Sequence, residues 1–66
     1  MSTQSSDLER LLTSIDLEVE RHETRLASLQ RAHMPSWLIQ SVQATLSCLH
    51  TNRRLTQRRL SLVRAA

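Results

Sequence analysis

Leu8, Leu12, Ile15, Val19, His22, Leu26, Leu29 and His33 recur at spacings that alternate four and three. Such a series predicts an α-helix with one apolar seam, because residues three and four apart share a face. Leu11 widens the seam by one position, and Leu17 is the one large apolar residue well off it. Ser6 followed by Glu9 has the capping-box spacing, which would start the helix at about residue 6. Asp7 and Glu9 would then sit near the positive end of the helix dipole. The polar residues 1–5 are expected to be disordered, and the first helix to end at about residue 32.

Pro35 disfavours helical geometry at Met34 and removes a backbone donor, yet proline suits the first turn of a new helix. Residues 33–36 therefore read as a turn, His33 as the end of the first helix, and a second helix is expected over about residues 36–64. A short connection between two long helices predicts an antiparallel hairpin, with one kinked continuous helix as the alternative. The fold class is thus all-α, a single hairpin domain over residues 1–66.

The second segment has a different pattern. Ile39, Val42, Leu46, Leu49, Leu60 and Val63 share one stripe, which Arg53 and Thr56 interrupt. Trp37, Ala44, Cys48, Leu55 and Leu62 form a second stripe about 140° away at ~100° per residue. A hairpin covers only one of these. The expected core is Leu8, Leu12, Ile15, Val19, Leu26, Leu29, Ile39, Val42, Leu46, Leu49, Leu60 and Val63. The second stripe is expected to meet another protein chain, a different protein or a second copy, because large apolar patches on monomers are unusual.

Composition agrees with helices. Glycine, phenylalanine and tyrosine are absent, and there is one proline. A β-rich domain without glycine turns and with Trp37 as its only large aromatic is improbable on propensity grounds. A chain of 66 residues builds a core giving only about 3–5 kcal/mol, so disulfides, a metal or a partner usually supplement it. Cys48 is the only cysteine, which excludes an internal disulfide. Cys48, His22, His33 and His50 lack the paired spacings of a structural zinc site. A partner chain is left as the source of further stability. No apolar run reaches the ~18–20 residues of a membrane span, and no secretory signal pattern opens the chain.

Charge is divided along the chain. Residues 1–23 carry six acids and two arginines, a net of −4, whereas residues 24–66 carry seven arginines and no acid, a net of +7. With the turn centred near residues 34 and 35, Arg53 falls beside Asp16. Arg58 and Arg59 fall near Glu9 and Leu11, and Arg54 near Ile15 and Asp16. Exposed pairs of this kind contribute about 0–1 kcal/mol each, but they set register and direction. The arginines of residues 53–60 spread around the helix and no aromatic interleaves them. Nucleic-acid binding is therefore the alternative function.

Catalytic patterns are missing. Without glycine there is no phosphate-cradling loop. Cys48 and His50 point ~160° apart on a helix, a poor geometry for a nucleophile and its base. His22 is expected near Ser47 and Cys48, where two ligands make no specific metal site. His22 reads instead as a polar interruption of the seam. The expectation is a non-enzymatic chain with no cofactor, no metal and no small-molecule substrate.

The length, the turn at "HMPS" and the two seams give residues 6–64 a resemblance to the small helical-hairpin co-chaperones of type III secretion needle subunits. That resemblance implies a protein of the bacterial cytoplasm that pairs with a larger tetratricopeptide-like chaperone. Together they would keep a needle subunit monomeric before export. Short hairpins that dimerise into RNA-binding four-helix bundles are the other resemblance, and the basic end of the second helix would suit them.

Overall fold

The computed structural model describes residues 3–65. They form two α-helices, α1 over Thr3–Arg31 and α2 over Ser36–Ala65, packed side by side as an antiparallel hairpin. Its principal extents are 49 × 14 × 11 Å, so it is one helix long, two helices wide and one helix thick. The kinked continuous helix is excluded by the contacts that run along both helices.

The helix bounds differ from expectation at both ends. α1 begins at Thr3, so Thr3, Gln4 and Ser5 are helical rather than disordered, while residues 1, 2 and 66 lie outside the described residues. Ser6 is consequently an interior residue and forms no capping box. Asp7 and Glu9 lie beyond the first turn, which contains no acid. The physical reason is the seam itself. Ser5 precedes Leu8 by three positions and is half-buried, so the spacing of the seam continues into the first turn of α1.

The turn is built by His33. Its φ of 54° places it in the left-handed region, where β-carbon crowding normally favours glycine. The His33 amide donates to the Gln30 carbonyl at 3.2 Å, and the Met34 amide to the Leu29 carbonyl at 3.1 Å. This pair of bonds is a Schellman motif, which satisfies carbonyls that a helix end leaves open. Met34 and Leu29 occupy the two positions that such motifs fill with apolar residues. Pro35 follows, and its carbonyl accepts from the amides of Leu38 and Ile39 to begin α2. α1 thus ends at Arg31, and the turn spans residues 32–35.

The core is a single seam between the helices. Ile15, Val42, Leu46 and Leu60 are buried, and Leu8, Leu12, Val19, Leu26, Leu29, Ile39, Leu49 and Val63 are half-buried. No large side chain among the described residues is fully enclosed, as two helices cannot surround one. Thr56 is buried in the same seam, where its hydroxyl donates to the Asn52 carbonyl at 2.8 Å. Thr13, Thr24, Thr45 and Thr51 use the same bond to the carbonyl four residues earlier. That bond lets a β-branched polar residue sit inside a helix with its hydroxyl paired.

Candidate interaction surface

The two flanks of the hairpin differ in chemistry. On one, Glu9, Asp16 and Glu23 recur every seven residues along α1 and face α2. Arg64 Nη2 donates to Glu9 Oε1 at 2.6 Å, Arg53 Nε donates to Asp16 Oδ1, and His50 Nε2 stands 4.0 Å from Glu23 Oε1. This flank is closed by polar contacts that recur at the heptad period.

The other flank is open. Leu11, Ile15, Asn52, Leu55, Thr56 and Arg59 line a shallow groove of about 310 Å³ between the helices. Leu11 and Leu55 are about half exposed there.

The stripe expected to bind a partner lies beyond this groove, on the outer face of α2. Trp37 is 69% exposed, Leu55 51% and Leu62 65%, with Ala44 and Cys48 exposed between them. Trp37, Ala44, Cys48 and Leu62 therefore share an exposed surface, and Leu55 joins it to the groove that it lines with Leu11 and Ile15 of α1. Sequence reasoning missed its continuity. Ser41, Thr51 and Arg58 fill the gaps, so the series Trp37, Ser41, Ala44, Cys48, Thr51, Leu55, Arg58 and Leu62 keeps the spacing of four and three without a break. Counting heptad positions regardless of polarity would have revealed it. The groove of Leu11 and Leu55 was missed too. Its signal was the position of Leu11 beside the main seam.

Two placements of arginines need correction. Glu9 is held by Arg64 rather than Arg58 or Arg59, a partner about one helical turn farther along α2 than a count from the turn places opposite it. Asp16 is held by Arg53, which leaves Arg54 outside that contact. Among the described residues, Arg54, Arg58 and Arg59 have no carboxylate within ion-pairing distance. All three are exposed.

His22 does not reach Cys48. Its ring turns back along α1, where Nδ1 donates to the Glu18 carbonyl at 2.7 Å. This bond assigns the proton to Nδ1 and explains how a half-buried histidine tolerates the seam. Cys48 is a free, exposed thiol beside Ser47, Thr51 and Asn52. No group of three or more potential metal ligands occurs among the described residues, and no described helix is long and apolar enough to cross a membrane.

No protein-family model, curated protein or solved structure shows significant similarity to the chain. The geometry above is therefore the ground for any functional reading.

Proposed function

We propose that this chain is a non-enzymatic protein-binding module whose outer α2 face receives a helix of another chain. One observation carries the proposal. Three large side chains, Trp37, Leu55 and Leu62, stand exposed along a stripe with heptad spacing apart from the seam that holds α1, with Leu55 at the edge of the groove. Heptad spacing is the pattern by which one helix receives another. A hairpin without fully enclosed side chains among its described residues also gains stability from a bound partner.

In its finer form this module is an accessory chaperone. It would pair with a larger helical-repeat chaperone and hold a secretion needle subunit soluble before export, in the bacterial cytoplasm. Support for that form is the hairpin architecture and the length alone. Pull-down with the tagged chain from its native cell extract tests the reading. Wild type should recover a stoichiometric protein that Leu55→Asp loses. Recovery of a folded monomer, with nothing bound through Leu55, would remove the proposal.

A second reading is favoured by Arg54, Arg58 and Arg59, which have no carboxylate partner among the described residues. A homodimeric bundle could present them to the phosphates of RNA. Binding would then weaken steeply with salt, and salt-independent binding would reject this reading.

A further inference from the structure

We infer that the outer seam of α2 is covered by α2 of a second copy of this chain, running antiparallel. The inference rests on the protein-binding reading above, because it names the partner. In the register of full overlap, Trp37 meets Leu62 of the second copy, Ser41 meets Arg58, Ala44 meets Leu55, and Cys48 meets Thr51. The same four layers then repeat in reverse beyond the twofold axis. Ser41 and Ala44, both small, each face a long or bulky side chain. Alternation of large and small residues across facing positions is what lets two helices interdigitate without voids. Two smaller residues, Cys48 and Thr51, meet at the axis and allow the helices to approach closely there. A seam that complements its own reverse is the signature of a twofold interface.

The charges lead to the same arrangement. Residues 36–52 contain no Asp, Glu, Lys or Arg, and every arginine of α2 lies from residue 53 onward. Antiparallel pairing lays the arginine-bearing half of each copy on the uncharged half of the other. Arg54, Arg58 and Arg59 then fall beside Gln40, Ser41 and Thr45 of the second copy, whose oxygens can accept from guanidinium groups. A parallel pair would instead set these arginines against their own counterparts, a like-charge contact that selects against it.

The hairpin also has surface to spare for an interface. A compact monomer of 7.6 kDa exposes about 4,300 Å² by the usual scaling, whereas this hairpin exposes 5164 Å². The excess of about 900 Å² comes from the elongated shape as a whole, and it exceeds the ~800 Å² that each partner contributes to a standard interface. Any larger chaperone that used this face would have to displace the second copy.

Sedimentation equilibrium of the full chain, read together with Trp37 emission, tests the inference. Dimerisation should shift the emission to the blue as Leu62 of the second copy covers the indole. Leu55→Asp should raise the dissociation constant at least about tenfold while leaving helical circular dichroism unchanged. Ala44→Arg, a good helix former on the exposed face, should do the same and guards against a folding defect in the first variant. Thr51→Cys places a thiol opposite Cys48, so gentle oxidation should link that variant into a covalent dimer more readily than wild type. Preferential linkage of wild type through Cys48 alone would show a parallel pair and overturn the inference. So would a chain that stays monomeric at all concentrations, or a dimer indifferent to both seam variants. A monomeric chain that captures another protein through Leu55 would sink the second copy and leave the protein-binding reading standing. Capture indifferent to Leu55→Asp, by a monomeric chain, would sink both.

Discussion

Arg53 of α2 donates its Nε–H to the carboxylate of Asp16 on α1, joining positions 37 residues apart. Arg53 occupies a half-buried position of the α2 stripe, so an otherwise apolar seam places a cation against the acidic flank of α1. Sliding α2 by one turn would remove that partner. Both side chains are more than a third exposed, which keeps the strength of the contact modest. A double-mutant cycle of Arg53→Ala and Asp16→Ala should give a coupling of about 0.2–1 kcal/mol in urea unfolding, falling as salt rises. A coupling of zero at low salt would show that the contact has no role in register.

His33 adopts a backbone conformation that glycine adopts without penalty. His33→Gly should therefore stabilise the hairpin by about 0.5–1 kcal/mol, and His33→Val should destabilise it by at least as much. Thermal melts of the three proteins check the order. Equal stability would mean that the left-handed turn is not the conformation in solution.

Thr56 is buried with its hydroxyl bonded to a carbonyl of its own helix. Thr56→Val removes the donor and leaves the Asn52 carbonyl in its ordinary helical surroundings. The expected change is neutral to about 1 kcal/mol of added stability. A loss above that range would show that the hydroxyl serves another contact.

Leu46 and Leu26 hold the hairpin seam, whereas Leu55 is half exposed at the edge of the groove and outside that seam. Leu46→Ala should cost about 2–4 kcal/mol, a large share of the stability of so small a core. Leu26→Asp should unfold the chain, while Leu55→Asp should leave monomer helicity intact. Far-ultraviolet circular dichroism separates these outcomes. Equal damage from Leu26→Asp and Leu55→Asp would mean that α2 has one working face rather than two.

The hairpin was legible because two signals are local. Spacings of four and three from Leu8 to Leu29 specify one apolar face, and Pro35 breaks the chain at a single place. The contact between Arg53 and Asp16 followed from turn position alone. The helix start did not, because the spacing of Ser6 and Glu9 is equally compatible with an interior turn. Ser5, three positions before Leu8, is half-buried, and a capping pattern carries no signal of that burial. Arg64 was likewise missed as the partner of Glu9, since a count from the turn places residues opposite each other but does not include the reach of a long arginine side chain along the helix. The fate of His22 turned on side-chain direction. Its nearest acceptor lay on its own helix, at the Glu18 carbonyl, and not across the seam. The outer stripe was legible through its apolar members, but its small and polar members were not counted.

The ion pairs have a kinetic meaning that follows from where they lie. Contacts next to the turn close short loops, and those near the free ends close long ones, which cost more chain entropy. A hairpin of this kind zips outward from the turn, and its open end is the last part to close and the first to part. Arg64 holds Glu9 at that end and Arg53 holds Asp16 midway, so the electrostatic contacts act as clasps where closure is most costly. Amide exchange should therefore rise from the turn-proximal layers towards the helix ends, and the gradient should steepen in high salt as the clasps weaken.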